Sequence, residues 1–354
     1  MKTISTTLNR FHRLLCKCLL GKKMMNTHVE DKEVSWKVLD ISVYGTVTAQ
    51  PSKEPRPAVI FVAGSGPTDR NWCSPFLPGA NGTAKLLADA LASQGFVTLR
   101  YDKLASGPRV RENVPKLVGK ISMQSHLEEL AGAVETLIAE ENVDPGRLFV
   151  LTNSEGAIHA VNYQVQAKSN RFKGLLLTGA PGRSVGDLGR SQIFNQIKHL
   201  PNAEALMKPY DDAVADFLAG KPMTIAPSLP EGIKLLLHSL ENPANLPFAR
   251  ELWTYRLSDH IGKIDEPVLV LIGKKDIQVD WRIDGGLLEE ATAQKTSASY
   301  VYPENANHVL KHEEKPMEAI NAQYAAINYN APDAKLDEEA ADAILNWLKK
   351  HGQP

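Results

Sequence analysis

Cysteine is scarce in this chain, with three in 354 residues. Two stand in Cys16-Lys17-Cys18 and the third is Cys73, too few for a disulfide framework or a four-ligand zinc site. Cys16 and Cys18 read as unbonded thiols, and a reducing, cytoplasmic compartment is expected. Net charge is nearly absent too: 40 Lys and Arg against 41 Asp and Glu leave −1. That balance gives no electrostatic reason to expect nucleic acid or an acidic membrane as the main partner. No run approaches the ~20 apolar residues of a membrane span, so stable membrane insertion is not expected. Internal repeats and low-complexity tracts are missing as well.

What is present suits a globular chain. With 43% hydrophobic and 23% charged residues, it can bury a large core as one domain or as a domain with an insertion. Residues 1–29 stand apart: they carry Lys2, Arg10, Arg13, Lys17, Lys22 and Lys23, and no acid precedes Glu30. Lys17 splits the apolar run LLCKCLL, which argues against a secretory signal. The segment reads as a disordered or dispensable extension, with Met24 or Met25 opening the folded protein, or as a transit-like or membrane-surface helix.

From Val34 onward short apolar runs alternate with helical patterns, the signature of parallel strands joined by helices. Residues 34–49 interleave polar and apolar side chains and predict an antiparallel edge hairpin. The runs at 57–64, 96–102, 147–153, 173–179, 267–273 and 298–304 are continuous and predict strands covered on both faces. Helical spacing falls at 83–95, 123–140, 156–168, 285–294 and 337–352; Leu127, Leu130, Ala131, Val134, Leu137 and Ile138 mark one buried face. Between Pro181 and Pro267 no convincing strand is found, only helical fragments broken by proline. The expected organisation is an α/β core of 30–182 and 263–354, with a helical cap at 183–262 over the carboxyl ends of the strands, where open parallel sheets bind ligands.

Candidate chemistry comes from those strand ends. After 57–64 comes GSGPTDRNW (64–72), a glycine-rich turn able to leave backbone N–H groups free. After 147–153, Ser154 sits in TNSEGA before a helix, where the following N–H faces a helix N-terminus that favours negative charge. After 267–273 comes Asp276 in GKKDIQVD, and after 298–304 comes His308 in NANH. Each has an unremarkable alternative. Ser154 suits a helix N-cap. Asp276 competes with Asp280, and His308 with His312. His159 reads as packed or surface, and Asp69 and Arg70 as substrate-positioning or paired with neighbours.

The order Ser154, Asp276, His308, with a helical insertion before the acid, resembles the α/β-hydrolase family. The likeness covers about residues 34–352. It is nearest to lid-bearing esterases and serine-aminopeptidase-like hydrolases, the EstD-like carboxylesterases in particular, and rests on GSGPTDRNW, RYDKLASG (100–107), TNSEGA and GKKDIQVD with NANH. The resemblance implies Ser154 as nucleophile, His308 as base and Asp276 as the group that orients it. It also implies the N–H groups of Ser65 and Glu155 as an oxyanion hole.

Four places depart from the family pattern. Ala63 stands where histidine is common, Leu104-Ala105 replace Arg-Gly, Thr152 replaces the elbow glycine, and Asn153 replaces a frequent histidine. A β-branched residue at Thr152 predicts local strain. The activity expected is hydrolysis of small to medium carboxylic esters through an acyl-enzyme. An amidase, peptidase or thioesterase using the same residues, or a non-catalytic binding protein, is the alternative. Trp72, Phe76 and Trp253 are candidate pocket walls. The partner expected is a small-molecule ester, with no metal or cofactor, and oligomeric state is not legible.

Overall fold

In the computed structural model, which describes residues 28–353, the chain first turns at two non-glycine residues of positive φ, Leu39 (48°) and Asp40 (63°). Positive φ at both central positions twists the turn in the same sense as its strands. It folds β1 (Glu30–Val38) against β2 (Ile41–Ala49) as an antiparallel pair, the hairpin expected at that edge. Apart from His28 and Val29, the basic segment 1–29, with Cys16 and Cys18, lies outside the described residues.

The remaining strands are β3 (Arg56–Val62), β4 (Val97–Tyr101), β5 (Val143–Asn153), β6 (Gly174–Thr178), β7 (Val268–Leu271) and β8 (Ala298–Val301). They extend the sheet in the order β1-β2-β4-β3-β5-β6-β7-β8. β2 meets β4 antiparallel, and every later pairing is parallel. β4, β6 and β7 are buried along their whole length, as continuous apolar runs require. β8 is only half-buried, because it closes the far edge.

Helices cover both faces. On the first half of the chain lie α1 (Thr83–Ser93), α2 (Val110–Leu117), α3 (Met123–Ile138) and α4 (Gly156–Gln166). Side-chain alternation along β3 sorts the core in two. Ile60 and Val62 join Leu130 and Val134 of α3 and Ile158 and Val161 of α4. Val59 and Phe61 point the other way, to Leu87 and Leu91 of α1. A reciprocal Ser122–Ser125 capping box starts α3, satisfying N–H groups that the first turn leaves free.

Between β6 and β7 come α5 (Val185–Ile197), α6 (Ala203–Leu218), α7 (Glu231–Leu240), α8 (Phe248–Thr254) and α9 (Ser258–Ile261), and no strand of the sheet among the described residues. Leu206, Tyr210, Phe217, Leu237 and Trp253 form a separate core for these helices. Leu257 and Ile261 instead join the main core, which ties the end of the interval to the sheet. The chain closes with α10 (Ile283–Ala291), α11 (Ala322–Asn328) and α12 (Glu338–His351). α12 lays Ile344 and Leu348 on the α1 face of the sheet. Its Asp337 cap, acidic first turn and basic last turn all complement the helix dipole.

Two helices, α2 and α11, have no counterpart among the predicted elements. α2 carries Pro115, and both are short, so neither writes a clear period into the sequence.

α4 approaches the end of β3 closely. A Cβ on Gly156 would lie 2.4 Å from the Val62 carbonyl oxygen and 3.0 Å from that of Ala63, closer than packing tolerates. Gly156→Ala is therefore expected to destabilise the protein by about 1–3 kcal/mol through overpacking against backbone, read by denaturant unfolding. A change below about 0.5 kcal/mol, the range of an ordinary surface substitution, would contradict that packing.

Candidate active site

Ser154 lies on the turn between β5 and α4 with φ 54°, a left-handed conformation that costs an L-residue roughly 1–2 kcal/mol. Neighbours hold it there. Its N–H donates to the Thr178 carbonyl at 2.8 Å and its carbonyl accepts from Ala157 N–H at 2.9 Å. The Thr178 hydroxyl returns to the Thr152 carbonyl at 2.6 Å. Ser154 is half-buried between buried Asn153 and Glu155. Glu155 precedes α4 as its cap residue without a side-chain cap bond, so the Ser154 hydroxyl does not serve as the cap.

Thr152, where strain was expected, is fully buried in β5. It pairs with Val62 and Leu177 in regular register and donates its hydroxyl to the Leu176 carbonyl at 3.2 Å. The need for a side chain smaller than alanine falls at Gly156 instead, and the left-handed backbone at Ser154 itself.

Asp276 follows β7 and His308 follows β8, and the structure brings them together. His308 Nδ1 lies 2.7 Å from Asp276 Oδ2, and both side chains are buried. The other carboxylate oxygen accepts the N–H groups of Gln278 at 2.7 Å and Val279 at 3.0 Å. With one oxygen saturated by backbone, the second can only face the imidazole. An Nδ1–H donated to Asp276 leaves Nε2 as the acceptor nitrogen of a neutral ring.

Asn153, which sequence reasoning passed over as a mere departure, ties this pair to the serine. Its amide donates to the His308 carbonyl at 2.9 Å, so the residue before Ser154 anchors the histidine loop. Gly179 completes the fit: a Cβ there would sit 3.2 Å from His308 Nδ1 and Cε1.

The competing candidates are engaged elsewhere. Asp280 accepts the N–H groups of Arg282 and Ile283 at the start of α10. His312 lies 2.9 Å from Asp337, the cap of α12. Asp69 holds the turn through the N–H groups of Asn71 and Cys73, and Arg70 forks onto Asp102 and reaches Glu33. Both are structural pairings.

Ser65 lies exposed on the turn after β3, next to Gly66 at φ 77°. Among the described residues, neither its N–H nor that of Glu155 donates to another group. Ser65 is held by its carbonyl, which accepts the Thr68 hydroxyl at 2.8 Å.

The expected pocket walls need correction. Trp72 is 4% exposed and packs on Phe61 with ring centroids 5.8 Å apart, inside the core beneath α1. Trp253 packs within the helical interval, edge-on to Phe217. Phe76 is 79% exposed. A cavity of about 1230 Å³ does open beside Asp276, between α5 and the segment 317–329, and Leu77, Phe194, Ile277 and Ile320 line it. None of the three aromatics does. Aromatic side chains were chosen from sequence for their bulk, which serves a core equally well.

Behind the serine turn lies a buried polar chain. Lys103 Nζ donates to the Gly64 carbonyl and stands 3.3 Å from Glu155 Oε1. Glu155 Oε1 is 3.1 Å from His159 Nε2, whose ring packs on His126 with centroids 4.6 Å apart. Phe248 of α8 stacks on His159 and meets the His126 ring edge-on, and His126 Nδ1 meets Glu129 at 2.8 Å. Burial works against the Glu155 charge, but the Lys103 ammonium and the His159 hydrogen bond outweigh it and hold the carboxyl well below its ordinary range. Burial, with the neighbouring His126, pushes His159 down to about 4. It is therefore neutral near pH 7 and donates from Nε2, while its Nδ1 is left without a partner.

The family match agrees with this architecture. The alpha/beta hydrolase family matches residues 59–323, and the chain belongs to that family. It is 23% identical over 331 residues to esterase EstD of Thermotoga maritima, an alignment covering 89% of this chain and 68% of that one. Among solved structures it is similar to the alpha/beta hydrolase GrgF from Penicillium sp. sh18, at 16% identity over 91% of this chain and 99% of that one, with a TM-score of 0.54. It is likewise similar to Est1E from Butyrivibrio proteoclasticus, solved with ferulic acid, at 12% identity over 90% and 98%, with a TM-score of 0.52. These structural likenesses carry the fold. No helix among the described residues is long and apolar enough to cross a membrane.

The low His159 value makes a stability prediction. Between its ordinary value near ~6.5 and about 4, the unfolded chain binds a proton that the folded protein refuses, so stability falls as pH falls through that window. Fully developed, the loss is on the order of 3 kcal/mol. Melting temperatures from pH 7 to pH 4 should show it, and His159→Gln should flatten the fall. An equally steep fall in the variant would contradict a neutral buried His159.

Proposed function

We propose that the protein is a serine hydrolase that cleaves carboxylic esters of small to medium acyl groups through Ser154, His308 and Asp276. The observation that carries this reading is the left-handed serine turn joined, through Asn153, to a buried imidazole–carboxylate pair 2.7 Å apart. Similarity to an esterase supports the choice of ester.

In this mechanism the His308 Nε2 lone pair takes the Ser154 Oγ proton as Oγ attacks the ester carbonyl. Asp276 fixes the ring and stabilises its cationic form. The carbonyl oxygen becomes an oxyanion, received by the N–H groups of Ser65 and Glu155, which are free to donate to it. Collapse of the tetrahedral intermediate expels the alcohol, protonated by His308, and leaves an acyl-Ser154 ester. Water, deprotonated by His308, then releases the acid. The three side chains supply nucleophile and base, so no metal or cofactor takes part in any step.

The helical interval 183–262 acts as a cap on the core of 30–182 and 263–354. In this reading α5, which forms one wall of the cavity beside Asp276, and the segment 317–329 select the acyl or alcohol group.

Ser154→Ala and His308→Ala should each lower kcat on p-nitrophenyl esters by at least about 10³-fold, with thermal melts unchanged. Faster turnover of aminoacyl anilides than of esters would replace the esterase reading with a peptidase one. Wild-type ester turnover by Ser154→Ala would overturn the serine mechanism.

A further inference from the structure

The two N–H groups assigned to the oxyanion belong to separate segments, one after β3 and one after β5. Something must hold them in register. The Ser65 N–H shares a peptide unit with the Gly64 carbonyl, and in a planar trans peptide the C=O and N–H point in opposite directions. Lys103 Nζ donates to that carbonyl. An ammonium drawing the carbonyl oxygen into the protein therefore turns the N–H outward, and by withdrawing electron density strengthens it as a donor. The same Nζ stands 3.3 Å from Glu155 Oε1, the side chain of the residue that owns the second N–H.

We propose that Lys103 is a positioning residue for the hydrolysis: one buried ammonium clamps both peptide segments whose N–H groups receive the oxyanion. The inference rests on the reading of Ser154 as nucleophile. Its observations are independent of that reading, however. Lys103 and Glu155 are 6% and 5% exposed, so solvent does not screen the contact. Lys103 is fixed in turn, since its carbonyl accepts both the N–H and the hydroxyl of Ser106 at 2.8 and 3.0 Å. Asp102 beside it is gripped by the N–H and guanidinium of Arg70. Glu155 is held from the other side by His159.

The test is the charge-balanced double variant Lys103→Met/Glu155→Gln. Lys103→Met alone strands a buried carboxylate and carries a risk of unfolding. Kinetics on p-nitrophenyl acetate are paired with the affinity of an alkylboronic acid, which adds the serine oxygen to become a tetrahedral anion at the site. The expected result is a kcat about 10²-fold below wild type with KM within about 3-fold, and boronate affinity reduced in proportion to kcat/KM. A purely structural role would not produce that proportionality. A double variant with kcat within about 3-fold of wild type, or one whose boronate affinity is unchanged while kcat falls, overturns the proposal. Ser154→Ala run alongside separates the two claims. Hydrolysis retained there overturns the serine reading, whereas hydrolysis abolished there with a fast double variant overturns the role of Lys103 alone.

Discussion

The distance between the start of α4 and the end of β3 governs the candidate site. Gly156 lies against the Val62 carbonyl at a separation that leaves no room for a Cβ. Beside that approach the chain leaves β5 through a single left-handed residue, Ser154, and enters α4 at once. The serine is thus lifted from a sheet whose carboxyl ends also carry Asp276 and His308. Parallel pairing of β5, β6, β7 and β8 brings those three ends to one edge, and Asn153 bridges the first to the last.

Rigidity at the turn is bought with buried charge. Lys103, Glu155, His159, His126 and Glu129 lie together out of water, and two atoms of the group, His159 Nδ1 and Glu129 Oε1, have no hydrogen-bond partner. Each such orphan costs roughly 1–3 kcal/mol. A well-packed apolar set would be cheaper to bury. The polar set, unlike an apolar one, reaches the Gly64 carbonyl and the Glu155 carboxylate, so its cost goes into holding two loops at fixed separation. Phe248 extends the arrangement to the helical interval by packing on both imidazoles, which links that interval to the ground beneath the serine turn.

The strands were legible because burial on both faces leaves unbroken apolar runs, and the interval before β7 because proline and helical spacing replace them. Ser154, Asp276 and His308 were legible by position, each just past a strand. Their selection over Asp280 and His312 was not, since only the fold shows that Asp280 caps α10 and His312 meets Asp337. Thr152 misled: a missing glycine in a motif predicted strain, yet a β-branched residue suits a strand and its hydroxyl finds the Leu176 carbonyl. Trp72 and Trp253 misled in the opposite way, since a large ring reads equally as pocket wall or core. Lys103 was visible within RYDKLASG, but nothing in a linear motif says that an ammonium will point at the carbonyl of Gly64.

The central claim is that Ser154 becomes covalently acylated. Rapid quenching of a p-nitrophenyl ester reaction in acid, followed by proteolysis and mass spectrometry, tests it directly. The account predicts the acyl mass on the peptide containing Ser154, appearing within the first turnover and lost in Ser154→Ala. An acyl group on any other residue, or ester turnover with no acylated peptide at any quench time, would contradict it.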